Sequence, residues 1–160
     1  NMHWPTSRGQ IPVGWAREDW SAHERAHILW LHQYDSSLPC PPLSNRPKVR
    51  SQLIPSHWWH RGQSYPLSHL QGAFAVAVGI AHPEAFLTAL HQLNIAIDHL
   101  FQFPDHHPLP ELPTGCIVTE KDAARLPPDA DVWALCMSLQ VDNPNFVIDQ
   151  LELCLSPLAF

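Results

Sequence analysis

The sequence predicts an α/β protein: a three-layer sandwich with a mainly parallel sheet flanked by helices, plus an irregular N-terminal segment. Three observations predict it. Short apolar runs alternate with helical apolar stripes from residue 71 onward, the pattern of strand–helix–strand units. The run Ala73–Val78 is continuous rather than alternating, as in a strand covered on both faces. Gly and Pro stand at the junctions between them.

The elements follow in order. Residues 1–18 are rich in Trp, Gly and Pro and read as loop. Ser21-Ala22-His23-Glu24 has capping-box spacing, which predicts a short helix from about Asp19 to His27. Ile28-Leu29-Trp30-Leu31 reads as a strand, closed off by Pro39, Pro41 and Pro42. Residues 46–70 mix basic, apolar and aromatic side chains without helical period and read as a linker or a hairpin of extended strands. Ala73 to Val78 is a buried strand, Gly79 a turn, and Pro83 the first turn of a helix whose stripe is Phe86, Leu87, Leu90 and Leu93. Ile95–Phe101, Cys116–Val118 and Val132–Met137 are three further strands, with a short helix about Glu120 to Leu126 between the last two. Asn143-Pro144 gives an N-cap followed by proline at the first helical position, and Val147, Ile148, Leu151 and Leu155 share one face of the final helix. The expected division is 1–45, 46–70 as a linker or hairpin, and 71–160 as a small α/β domain.

Composition excludes some classes. The formal charge is −6 and no basic run occurs, so no nucleic-acid partner is expected. No stretch approaches the ~20 apolar residues of a membrane-spanning helix, and no signal peptide is visible. The four cysteines show no CxxC spacing, and Cys116 and Cys136 lie in strand-like runs; reduced, buried thiols fit a cytoplasmic location. The 17 prolines cluster at 39–47, 104–113 and 127–128 and mark loops.

In a parallel sheet, ligands bind beyond the carboxyl ends of the strands. That edge would carry the loops at 79–83, 102–113 and 119–122. Phe103-Pro104-Asp105-His106-His107-Pro108 follows a strand. Asp beside His supplies an acid/base pair; the same types bind metals, or simply form a turn with solvated imidazoles. Thr119-Glu120-Lys121-Asp122 sits where strand becomes helix. Thr119 and Asp122 have capping-box spacing, and the helix amides would also suit a phosphate. Lys121 is one of only two lysines, with Lys48. His23-Glu24-Arg25-Ala26-His27 matches the HExxH zinc signature, but Trp30 and Gln33 stand where its extended form has Gly and His, so no metal site is expected there. No G-x-x-x-x-G-K-[ST] occurs among these residues.

Val76-Ala77-Val78-Gly79-Ile80-Ala81-His82-Pro83-Glu84-Ala85-Phe86, then Phe103 to His107, then Val118-Thr119-Glu120-Lys121-Asp122-Ala123 resemble, in order and spacing, the C-terminal region of lipid A 4′-kinases (tetraacyldisaccharide 4′-kinases). Ile11-Pro12-Val13-Gly14-Trp15-Ala16-Arg17-Glu18 resembles an earlier stretch of that family, with Trp15-Ala16 in place of its Pro-Leu. The resemblance implies transfer of the γ-phosphoryl of ATP, with Mg²⁺, to the 4′-hydroxyl of a lipid A precursor. It implies a location peripheral to the cytoplasmic face of the inner membrane of a Gram-negative bacterium. Residues 1–45 would then belong to the kinase core domain. Carried over, His106 would help activate the sugar hydroxyl with Asp105 supporting it. Arg17 and Glu18 would lie near the phosphates and Mg²⁺, and Thr119, Glu120, Lys121 and Asp122 would line the nucleotide cleft.

The family's P-loop lies outside these residues, and phosphoryl transfer depends on it. Hence no ATP or Mg²⁺ is expected bound to this chain alone, and no turnover by it alone. The expected partners are a P-loop half, or a second copy through exposed tryptophans (Trp4, Trp15, Trp20, Trp58, Trp59). Two other readings stay open: a non-catalytic interaction module derived from that family, and a metal-dependent phosphoesterase using Asp-His-His. The latter needs upstream aspartates, of which only Asp19 and Asp35 precede residue 98.

Overall fold

In a computed structural model of the chain, residues 24–32, 45–105 and 107–155 are described. The chain divides into two compact units, Asn1–Leu53 with Leu139–Phe160, and Ile54–Ser138.

In the first unit, β1 (Leu29–His32) pairs in parallel with Lys48–Ser51 at the start of β2 (Lys48–His60). Ser51 is buried there, and its hydroxyl meets the Trp30 ring N–H at 2.7 Å and His32 Nδ1 at 3.0 Å. The end of β7 (Val132–Val141) reaches the same strand: Arg50 N–H donates to the Asp142 carboxylate and Asp142 N–H to the Arg50 carbonyl, each at 3.0 Å. Asn143 caps the following helix, α3 (Pro144–Leu155), by accepting from the Phe146 N–H at 3.2 Å. The described part of the expected helix over 19–27 is a 3₁₀ turn at Glu24–Arg25 followed by a bend, because the backbone is already turning into β1.

The second unit holds the parallel sheet. The rest of β2 forms a hairpin with β3 (Gln63–Tyr65), closed by Arg61 and Gly62, both at positive φ (46° and 80°), as a tight two-residue turn requires. Then come β4 (Gly72–Val78), α1 (Glu84–Gln92), β5 (Ile95–Gln102), β6 (Cys116–Thr119), α2 (Glu120–Ala123) and β7. Asn94, at φ 58°, takes the left-handed position that ends α1. The strand order is β7-β6-β4-β5, every pair parallel.

Alternation along the strands covers both faces. Val76, Val78, Ile117 and Leu135 pack with Phe86, Ala89 and Leu90 of α1. Ala77, Cys116, Val118 and Ala134 pack with Ala123 and Leu126 at α2 and with Phe103 and Leu112 of the long loop. Helix, sheet and helix thus make the layered α/β arrangement the sequence predicts.

Trp58 corrects one expectation. It is not a surface contact residue but a fully buried member of the α1-side core, its ring N–H donating to the Leu67 carbonyl at 3.0 Å. A buried indole needs such an acceptor. Trp59 packs on the opposite core, and Trp4, Trp15 and Trp20 lie outside the described residues. Among the described residues no helix is long and apolar enough to cross a membrane.

Candidate functional site

The chain path through the second unit creates one special place. From β4 it passes through α1 to β5 on one side, then returns along 103–115 to β6 on the other side of β4. Successive connections therefore diverge at the carboxyl ends of β4 and β6. This is the topological switch point, where open α/β sheets leave a crevice. The residues beyond these ends are Gly79 after β4, Phe103 onward after β5, and Thr119 onward after β6.

Asp122 holds them together. It is fully buried, and a buried carboxylate is costly unless its oxygens are satisfied. Oδ2 accepts from the Gly79 N–H at 2.9 Å and from the Thr119 hydroxyl at 2.8 Å. Oδ1 lies 3.3 Å from Arg125 Nη1. Thr119 Oγ1 in turn accepts from the Asp122 N–H at 3.1 Å, so the Thr-x-x-Asp spacing does cap α2. The carboxylate spends its remaining capacity on the neighbouring loop. That approach explains Gly79: a Cβ there would stand 3.0 Å from Asp122 Oδ1 and 3.2 Å from Leu109 Cδ2.

Around this lock lie the polar groups the sequence singles out. The chain turns at Asp105, and beyond it the His107 N–H donates to the Pro104 carbonyl at 3.0 Å. Asp105 pairs with the half-exposed Lys121 ammonium at 2.8 Å. Glu120 Oε2 stands 3.5 Å from the Met137 N–H. Cys136 is also buried here, and burial first, then the Glu120 charge, push its thiol pKa up. Asp105, Thr119, Glu120, Lys121 and Asp122 are thus gathered at one edge, while Arg17, Glu18 and His106 lie outside the described residues.

Sequence reasoning missed Arg125. Its guanidinium reaches the Asp122 carboxylate, the Gly79 carbonyl at 3.5 Å and the His107 carbonyl. Its spacing of three from Asp122 was the available signal, since such pairs meet on a helix. Among the described residues no group of three or more His, Cys, Asp or Glu side chains is placed to hold a metal ion. What the edge offers is a rigid frame carrying one carboxylate–ammonium pair toward solvent.

Comparison with known proteins gives this edge a context. The sequence model of the tetraacyldisaccharide-1-P 4′-kinase family matches residues 5–155. The tetraacyldisaccharide 4′-kinase of Leptothrix cholodnii is 30% identical over 159 residues, covering 88% of this chain and 44% of that protein. The enzyme of that name from Xanthomonas euvesicatoria is 38% identical over 92 residues, covering 51% of this chain and 26% of that protein. The crystal structure of "apo" form LpxK from Aquifex aeolicus in complex with ATP has a similar fold, with a TM-score of 0.69 at 21% identity. It covers 89% of this chain and 47% of that one. The chain spans less than half the length of these relatives, aligning with their C-terminal part. By the match to the family model over nearly all of its length, this chain belongs to the tetraacyldisaccharide-1-P 4′-kinase family.

Proposed function

We propose that these residues form one wall of a lipid A 4′-kinase active site, the wall that faces a P-loop wall across the nucleotide cleft. The observation that carries the reading is the Pro104–His107 turn, held at the switch point with Asp105 fixed by Lys121 at 2.8 Å. An acid/base group must be held still to act on a substrate hydroxyl. In this reading the 4′-hydroxyl oxygen of a lipid A disaccharide precursor bonds to the γ-phosphorus of ATP, and the bond from that phosphorus to the ADP oxygen breaks. His106 accepts the hydroxyl proton, and Asp105 supports the imidazole.

Lys121 fits the flank of an anionic triphosphate, as a half-exposed ammonium. The set is a flank and not a cradle, because no phosphate-binding loop motif occurs in these residues. When bound, Mg²⁺ neutralises charge on the phosphates. Arg17 and Glu18 are the residues of this chain assigned to its vicinity. The protein works against the inner face of the bacterial inner membrane, where its acylated substrate lies.

The test is a transfer assay with γ-labelled ATP, Mg²⁺ and tetraacyldisaccharide 1-phosphate. The 160-residue chain alone is expected to give no transfer. Mixed with the N-terminal, P-loop-bearing part of the Leptothrix cholodnii relative, it is expected to give transfer that Asp105→Ala or His106→Ala abolishes. Turnover by the chain alone, or transfer indifferent to both substitutions, refutes the reading.

A further inference from the structure

The loop between β5 and β6 carries Pro104, Pro108, Pro110 and Pro113. Proline has no N–H, so such a loop makes few bonds of its own, and its carbonyls depend on donors from elsewhere. Two of them are served locally, Pro104 by the His107 N–H and Pro113 by the Cys116 N–H. The His107 carbonyl is served from α2's end, by Arg125. The same guanidinium donates to the Gly79 carbonyl and to the buried Asp122, which itself accepts from the Gly79 N–H. One side chain therefore joins the loops after β4, β5 and β6. Its anchor is rigid, since Asp122 has no exposure and is bonded on both oxygens.

We infer that Arg125 is a positioning residue: it sets where the Pro104–His107 turn stands, and Lys121 holds the turn's other arm through Asp105. This rests on the function proposed above only for its catalytic consequence; the mechanical hold stands without it. Arginine suits the role because its planar fork serves several acceptors at fixed angles, which an ammonium cannot do. The loop's prolines stiffen the chain, so one fixed carbonyl constrains Pro108 beside it as well.

The experiment has two arms on the 160-residue chain, with Arg125→Ala and Arg125→Lys compared after thermal melts establish that each folds. In the first, amide hydrogen exchange is read residue by residue. The His107 amide, whose own bond to the Pro104 carbonyl opens more readily once the His107 carbonyl loses its donor, is expected to exchange about five- to tenfold faster in Arg125→Ala. Ala77 and Val118, in the sheet beneath, stay unchanged, and Arg125→Lys falls between. In the second arm, each chain is combined with the P-loop-bearing part of the Leptothrix cholodnii relative. Arg125→Ala is expected to lower kcat about 10- to 100-fold while KM for ATP holds, the signature of misplacement and not of lost binding. Arg125→Lys recovers part of it. Unchanged His107 exchange overturns the inference whatever the kinetics do. A raised KM with unchanged kcat overturns the positioning role. If the unsubstituted chain combined with the P-loop-bearing part gives no transfer, the function reading and the catalytic half of this inference fall together, and the exchange arm still decides the hold.

Discussion

Asp122 and Asp131 stand at opposite ends of the same parallel strands and are satisfied in opposite ways. Asp122, beyond the carboxyl end of β6, is fully buried and draws its bonds from a backbone N–H, a hydroxyl and one guanidinium. Asp131, just before β7, is about a third exposed. It meets His60 Nε2 at 2.8 Å and Arg61 at 3.3 Å, both on the β2–β3 hairpin. There His60 stacks on Trp133 with ring centroids 4.1 Å apart, and Tyr65 and His69 surround the same indole. One end is a locked frame around a carboxylate with no exposure to solvent. The other is a cluster of side chains that water can enter. The difference teaches where this fold keeps its rigidity: at the end that presents Asp105 and Lys121.

The largest effect expected from that contrast is at Asp122. Replacing it with Ala strands the buried Gly79 N–H and Thr119 hydroxyl and takes from Arg125, itself about a quarter exposed, its carboxylate partner. Removing one partner of such a buried network costs about 3 to 5 kcal/mol. Urea denaturation of Asp122→Ala against the parent chain measures it. A loss under about 1 kcal/mol would put Asp122 in the class of surface pairs and erase the contrast.

Much of the frame was legible in the sequence, for a physical reason. Strands covered on both faces must be continuously apolar, so the runs at β4 and β6 declared themselves, and Asn143-Pro144 marked the start of α3. What stayed hidden depends on partners far away in the chain. Thr119 and Asp122 announced a cap, yet the Asp122 carboxylate bonds to Gly79, 43 residues away. Nothing local signals that pairing, nor the reach of Arg125 to His107. Trp58 misled for a related reason: within an aromatic run, which ring turns inward is set by strand register, and that was fixed by a hairpin whose Arg-Gly turn is not among the strong turn dipeptides.

Next in size is an alkaline effect at the amino end of the sheet. Cys116 opens β6, and burial pushes its thiol from 9.0 up to about 11. The folded chain thus holds this proton more tightly than the unfolded chain. Its contribution is complete below about pH 9 and is lost as pH rises toward 11. Two pKa units correspond to about 2 to 3 kcal/mol. Denaturation midpoints at pH 8.5 and 11.5 should differ more in the parent chain than in Cys116→Ala. The remaining slope in the variant includes Cys136, whose thiol is raised in the same direction. Equal slopes in parent and variant would mean that Cys116 ionises freely and that the amino end is open down to the strand.

Gly79→Ala probes the locked end by crowding rather than by deletion. Its methyl would meet Asp122 Oδ1 at 3.0 Å and Leu109 Cδ2 at 3.2 Å, and the carboxylate cannot swing away without releasing its donors. Overpacking of this kind costs about 1 to 2 kcal/mol. Because the two positions touch, the cost should shrink in an Asp122→Ala background, where the crowded atom is gone. Additive losses in the double variant would show that the clash is relieved elsewhere.

The smallest effect sharpens the comparison most. Asp131→Ala removes a carboxylate whose partners, His60 and Arg61, remain within reach of water, and exposed pairs contribute about 0 to 1 kcal/mol. The His60–Trp133 stack does not need the carboxylate, so the hairpin should keep its place. Raising the salt concentration should shrink the small loss further, because an exposed pair is screened, while leaving the Asp122→Ala loss in place. A penalty at Asp131 rivalling that at Asp122 would mean that the aromatic cluster, and not the bonded frame, carries the unit. Rigidity at the Asp105 turn would then have to come through the hairpin, from the far end of the strands.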